Sequence, residues 1–402
     1  MSDARIIALI AAGHMVSHFL QLTIPPLFPL LKSEFDVSWV ALGLVSSVFY
    51  CVSGVMQTVS GFFVDRLGAR RVLLTGMTLF GGAIAAAGFA SSYWMLLPIA
   101  AIAGVGNSVF HPADYSMLNG SVSARRIARG YSAHAILGSI GFILGPVFVG
   151  SVSHFAGWRI ALVAAGIVGC LATLAIARQT RGLGRPTPRI PHAPRVGLRA
   201  DIRVLLSAPI LMALGYFALL TAASTGIQTF SVPALGMIYL APLTLATGAL
   251  TVYLVGSALG TFTGGFLAER ATRHDLVAAG GVISAATLMA VLATGSVPLA
   301  LIGAVMAGAG FSMGITGPSR DMLVRAATPR GSSGKVFGFV YSGMDLGSLI
   351  APPMYGWFLD RGEPRAMFAV VGAIMVVMIF TVVQVRRRVV PNTPKPQPAP
   401  GG

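Results

Sequence analysis

Twelve apolar stretches, separated only by short polar breaks, constrain this chain more than any other feature of it. A membrane-spanning helix needs about 20 mostly apolar residues. Cutting the sequence at charged, Gly and Pro punctuation predicts spans over 6–31, 38–64, 71–92, 94–119, 129–154, 158–178, 205–231, 242–268, 275–295, 297–324, 333–359 and 364–385. Composition agrees: 55% of the 402 residues are hydrophobic and 10% charged, whereas soluble domains carry about a quarter charged residues. An ordinary soluble domain is thereby excluded. Residues 1–5 lead into the first stretch without a small-residue cleavage pattern, so that stretch is read as a retained helix rather than a signal peptide.

The net charge of +16 does not point to nucleic acid, because the basic residues sit in short clusters between apolar runs and form no single soluble face. Their placement instead sets topology. Arg66, Arg70 and Arg71 follow span 2, Arg125, Arg126 and Arg129 follow span 4, and Arg386, Arg387 and Arg388 follow span 12, while the loops after spans 1, 3, 7 and 9 carry few or no basic residues. By the positive-inside rule both termini are expected in the cytoplasm. Between spans 6 and 7, Arg178 to Arg203 holds seven Arg and four Pro with Asp201 its one acid, and reads as an extended linker on an anionic inner leaflet. The tail from Pro391 is Pro-rich and expected to be disordered. Cys51 and Cys170 both fall inside apolar runs, which argues against a disulfide framework.

The chain repeats itself. Gly61-x-x-x-Asp65-Arg66 returns as Gly265-x-x-x-Glu269-Arg270, and Gly104-x-Gly106 as Gly308-x-Gly310, both at an offset of 204. Gly141-x-x-x-x-Pro146 returns as Gly347-x-x-x-x-Pro352, and Arg159 as Arg365, both at 206. A parallel six-plus-six repeat is a transporter architecture in which one bundle rocks against the other around a site at their interface. The expected division is a first six-helix bundle over 1–178, a linker over 179–204, a second bundle over 205–388 and a tail over 389–402.

The stretch Gly61 to Arg71, with Asp65, Arg66, Gly68 and Arg70 between apolar runs, resembles the signature of the major facilitator superfamily, and its weaker copy at Gly265 stands where that family repeats it. The resemblance covers the whole chain and implies an all-α integral membrane protein: twelve transmembrane helices in two six-helix bundles, with a central cavity between them. Gly141-Phe-Ile-Leu-Gly145-Pro146, preceded by Gly138 and followed by Gly150, resembles the fifth-helix motif of that family's proton-driven antiporters, with its final glycine pair incomplete. Phe28 to Phe35 and Gly106 to Pro112 resemble the fosmidomycin-resistance branch of bacterial exporters.

Ionisable side chains at the bilayer centre cost about 2.5–3.5 kcal/mol on insertion scales and so need a reason. Asp345 lies near the middle of span 11 and is the first choice for a proton-binding group, against a plain helix-packing acid. His14, His18 and Gln21 share one face of span 1. The two histidines are assigned to proton coupling and Gln21 to substrate, against a polar face bonded to neighbouring helices. Asn107, His111 and Asp114 form a stripe on span 4. Asn107 and His111 are expected to line the cavity with Tyr50, Gln228 and Tyr253. Asp114 and Asp321 are read as gate acids, Asp114 within reach of Arg66 or Arg70. The gate is completed by Gly61, where a missing side chain would let two helices close up, and by Asp65, Arg66, Gly68, Arg70, Glu269 and Arg270. The resemblance implies that this acid and arginine lock the inward face. His134 is read as a shallow, satisfied packing histidine. The His14–His18 pair lacks an evident third ligand, so no metal site is expected.

There is no phosphate loop, nucleophile elbow or zinc spacing, so neither an enzyme nor a cofactor is expected, and transport must draw on an ion gradient or on the substrate's own. The expected protein is a monomeric secondary transporter of a bacterial inner membrane, a proton-coupled antiporter exporting small drug-like or anionic molecules by alternating access. Its partners are protons, the small-molecule substrate and lipid, and not nucleic acid. The alternatives are an importer of an organic anion or metal chelate, and a non-transporting receptor.

Overall fold

The computed structural model describes residues 2–123, 125–180, 205–271, 273–327 and 333–389. The expected linker beyond residue 180 and the expected tail beyond residue 389 lie outside them. Every predicted span is helical. The first runs as α1 (Asp3–Gln21), a 3-10 turn at Pro25–Leu27 and α2 (Phe28–Phe35). Then follow α3 (Trp39–Leu67), α4 (Ala69–Ala87), α5 (Tyr93–Asn107), α6 (Phe110–Ser121) and α7 (Ile127–Gln179). After the linker come α8 (Ala208–Tyr239), α9 (Leu243–Arg270), α10 (His274–Ala293), α11 (Ile302–Ala327), α12 (Ser333–Asp360) and α13 (Pro364–Val389).

Three details depart from the sequence reading. Span 4 is broken at Ser108–Val109 into α5 and α6, just before Pro112, whose ring and missing N–H interrupt the ladder of helical hydrogen bonds. Spans 5 and 6 follow one another directly in α7, the chain turning between them at Gly157, with φ +83°. Span 7 continues through Pro233 to Tyr239, eight residues past its predicted end.

The sequence repeat reappears as a repeat of packing. In the first half α1 lies on α7, α3 on α5 and α4 on both α5 and α7. In the second half α8 lies on α12, α9 on α11 and α10 on both α11 and α13. Lipid offers helices no hydrophobic reason to associate, so close packing of small residues has to supply it. Gly104 accordingly sits on the Phe49 carbonyl and Gly310 on that of Tyr253. Large side chains such as Phe80, Phe110, Phe217 and Phe368 fill the two cores, while Trp94, Phe155, Leu171 and Phe380 stand outside.

The halves meet through α3 on α12, α7 on α9 and the Pro25–Leu27 turn on α8. Gly68 has φ +89° and ψ 138° between α3 and α4, a backbone region open in practice to glycine alone. Its place in the signature is therefore explained by the turn itself.

Candidate functional site

Four imidazoles and one carboxylate converge inside the first half. His14 and His18 come from α1, His111 and Asp114 from α6, and His134 from α7. The His14 ring stacks on His134 with centroids 3.5 Å apart, and lies 4.3 Å from His18 and 5.3 Å from His111. Asp114 is fully buried; its Oδ2 stands 3.0 Å from His134 Nε2 and 3.5 Å from His14 Nδ1. Three polar atoms of this group, His14 Nδ1, His18 Nδ1 and Asp114 Oδ1, make no hydrogen bond although all are buried. Glycine makes the convergence possible: a Cβ at Gly141 would strike the Met15 carbonyl, and one at Gly138 would lie 2.9 Å from His14 Cδ2. Gly138 and Gly141 thus bring α7 hard against the histidine face of α1.

This geometry corrects three expectations. Asp114 pairs with histidines, and not with Arg66 or Arg70, because α6 turns it inward toward α1 and α7. His134 is neither shallow nor separate: it is 3% exposed and at the heart of the group. The His14–His18 pair does have further potential ligands, since His14, His111 and His134 present ligand atoms within 4.8 Å of one another. Spacing along one helix gives no view of side chains delivered by two others.

A second polar set lies further along the same helices. Ser17 Oγ donates to Asn107 Oδ1 (3.0 Å) and Asn107 Nδ2 to Ser53 Oγ (2.9 Å), while Gln21 Nε2 donates to the Tyr50 hydroxyl (3.3 Å). Gln21, Tyr50 and Asn107, all predicted to face substrate, are thus brought close and half-buried. Asp345 joins them from the other half: a Cβ at Gly54 would lie 3.1 Å from its Cγ, and it is an electrostatic neighbour of Tyr50. Gln228 is half-buried on α8 and Tyr253 buried on α9, outside this hydrogen-bonded set.

The two ends of the interface between halves differ. Where α3 begins and α12 ends, the halves are tied together. Asp360 Oδ1 accepts from Trp39 N (2.7 Å) and its Oδ2 from Val40 N (2.9 Å). Ser38 Oγ accepts from Ala41 N (3.0 Å), and Ser47 Oγ donates to the Leu349 carbonyl (2.7 Å). Gly43 packs on the Pro352 carbonyl and Gly356 on that of Trp39.

At the end bearing the signature, by contrast, a Cβ at Gly61 or at Gly265 would meet nothing within 4 Å. Phe62 and Phe63 on α3 and Phe262 and Phe266 on α9 are exposed, as are Asp65, Arg66 and Arg270. Neither Asp65 nor Arg66 makes an ion pair among the described residues. The expected close approach at Gly61 is therefore not made in this conformation. Arg70 serves its own half, donating to Thr180 Oγ1 (3.1 Å) and the Ala177 carbonyl (2.7 Å). The side chains of Glu269 and Asp321 lie outside the described residues. Asp360, which ties the closed end, is absent from the sequence-based site residues; its signal is an acid that ends one span where the loop before α3 must be capped.

A twelve-helix pair of repeats, closed at one end of their interface and parted at the other around a polar middle, is the architecture of a transporter. The family model for the Major Facilitator Superfamily matches residues 10–250 and 218–401, and the chain belongs to that superfamily. Among curated relatives it is 26% identical over 211 residues to the fosmidomycin resistance protein of Escherichia coli (strain K12), covering 52% of each chain. It is 28% identical over 291 residues to the uncharacterized MFS-type transporter YfnC of Bacillus subtilis (strain 168), covering 71% of this chain and 70% of that one. A probable sulfoacetate transporter of Cupriavidus necator, SauU, is 28% identical over 174 residues, 42% of this chain and 39% of the relative. The match thus spans about half the length of the fosmidomycin resistance protein.

Solved structures show the same fold. A bacterial homolog of the human lysosomal transporter Spinster, in an inward-facing and unoccupied conformation, superposes with TM-score 0.73 at 15% identity, covering 96% of both chains. The nucleoside transporter NupG superposes with TM-score 0.78 at 14% identity, covering 94% of this chain and 99% of that one. The protein is a multi-pass membrane transporter.

Proposed function

We propose that this transporter is a proton-coupled antiporter that exports small drug-like or anionic molecules across a bacterial inner membrane, with both termini cytoplasmic. The observation that carries the reading is the position of Asp345. It stands half-buried where α12 packs on α3, against Gly54 and beside Tyr50 of the Gln21–Tyr50 pair. A carboxyl there is reached from the open end and is sealed from the closed one. Closure of the signature end and release of the Asp360 tie would turn the same group toward the other side, which is what alternating access requires of a coupling group. Intramembrane acids are functional by default in such proteins. The similarity to the fosmidomycin resistance protein supports export as the direction and drug-like molecules as the substrate class.

Everted vesicles test it. Fosmidomycin, as the first substrate tried, is expected to release protons from vesicles preloaded with a gradient in the wild type. Asp345→Asn is expected to lose that release while retaining substrate exchange. Equal, gradient-independent transport by both proteins would sink the coupling claim. The similarity to a probable sulfoacetate transporter favours a second reading, uptake of a small organic anion; counterflow with the substrate on either side of the vesicle separates the two.

A further inference from the structure

The Asp345 set accounts for a coupling group and a polar pocket, yet leaves the histidine group without a task. We propose that His14, His111 and His134, together with Asp114, bind one divalent first-row transition-metal ion of the zinc, cobalt or nickel kind. The inference rests on the packing of α1, α6 and α7 alone and does not depend on the direction or substrate of transport.

Four ligand atoms about 2.0–2.1 Å from a tetrahedral ion stand about 3.3 Å from one another. Asp114 Oδ2 stands 3.5 Å from His14 Nδ1 and 3.0 Å from His134 Nε2, one distance on each side of that edge length. His111 completes a set of three imidazoles whose ligand atoms lie within 4.8 Å of one another. Closing the shell takes about 1.5 Å at the widest imidazole pair and a swing of the His14 ring out of its stack on His134, so that both rings turn their lone pairs toward the ion. Imidazole nitrogens with one carboxylate are the ligand set that zinc, cobalt and nickel accept, whereas calcium and magnesium take oxygen shells.

The buried atoms without a hydrogen bond point the same way. His14 Nδ1 and Asp114 Oδ1, with His18 Nδ1 beside them, are buried and have no hydrogen-bond partner, and buried polar atoms in this condition call for a missing one. His18 and Gly138 hold the His14 ring from behind. His111 is exposed, whereas His14 and His134 are buried, so an ion reaches the two inner ligands through the outer one. An anion held by the imidazoles is disfavoured by the Asp114 carboxylate in their midst, which would repel it.

The full chain, purified on a tag free of histidine and stripped with chelator, is titrated with cobalt(II) chloride and with zinc chloride. Bound metal is measured by mass spectrometry after equilibrium dialysis, and coordination by the visible spectrum of the cobalt form. The expected result is one ion per chain, visible bands of four-coordinate cobalt, and a raised Tm with either metal. His111→Ala, an exposed position that leaves the core intact, and Asp114→Asn are each expected to weaken binding at least about tenfold and to remove the Tm rise. His154→Ala, an exposed histidine elsewhere on α7, leaves binding unchanged.

Binding that is absent from the wild type, or that persists unchanged in the His111→Ala, Asp114→Asn double variant, would overturn the assignment. So would stabilisation by methylphosphonate without metal that His111→Ala abolishes, because that would make the group an anion site.

Discussion

At Gly141 the backbones of α7 and α1 meet: a Cβ there would strike the Met15 carbonyl and come within 2.9 Å of His18 Cβ. Backbone cannot yield as a flexible side-chain tip can, so overpacking at such a point costs about 1–3 kcal/mol. Gly141→Val is expected to lower the Tm in detergent and to release the His14–His134 stack. Gly61→Ala, whose Cβ meets nothing within 4 Å in this conformation, is expected to leave the Tm unchanged. A thermal-shift series on the two variants checks both, and equal losses would contradict the packing difference. Both glycines stand in motifs that the sequence displays, yet only one makes its contact here. A motif records that a small residue is wanted in some state, not which helix meets it or when. Asp114 carries the same lesson. Its place on one face with His111 was legible from spacing, whereas Asn107 falls on the far side of the break between α5 and α6; its partners, His14 and His134, lie 100 and 20 positions away, and only the three-dimensional register of α1, α6 and α7 pairs them.

Among the helices, the start of α3 is unusual in owing its cap to the other half of the molecule. The first four N–H groups of a helix lack partners within it. In α3 Asp360 takes those of Trp39 and Val40, the Ser38 side chain takes that of Ala41, and the Ser38 carbonyl takes that of Leu42. A carboxylate at a helix N-terminus also gains from the helix dipole. Losing a cap costs about 0.5–2 kcal/mol, and one to two kcal/mol shifts a two-state balance by about 5–30-fold. Asp360→Asn is therefore expected to weaken closure at that end. In a Cys51→Ser, Cys170→Ser background, a cysteine at buried Ser47 is expected to react with an impermeant maleimide several times faster when Asp360→Asn is added. An unchanged rate would show that the tie does not hold the end shut. The helices themselves were legible because an apolar length bounded by charge is a local property, and most predicted ends fall within a few residues of the observed ones. The tie was not, because it joins positions 321 residues apart; the break between α5 and α6 was signalled by Pro112, though it falls a few residues earlier, at Ser108–Val109.

For the molecule as a whole, the state it rests in is the one property that its repeat cannot encode, since each half is built to pair with the other in either tilt. The structure resolves it as closed at the Asp360 end and open at the signature end. In that state Asp65 and Arg66 are exposed and without ion pairs among the described residues, which is what a latch looks like when undone. If the signature acts only when the other tilt is adopted, removing its charge should penalise that tilt and leave this one untouched. Asp65→Asn is accordingly expected to hold the protein open at the signature end and so to stop net transport. The polar middle of Gln21, Tyr50, Asn107 and Asp345 is already assembled in this state, and its affinity for substrate should stay within about twofold of wild type, well under the tenfold that 1.4 kcal/mol represents. Transport in vesicles and a fluorescence-quenching titration on the same preparation read the two quantities separately. A variant that transports normally removes the latch. One that loses binding in proportion to transport returns the signature to the binding site, against the distance that the open interface now sets between them.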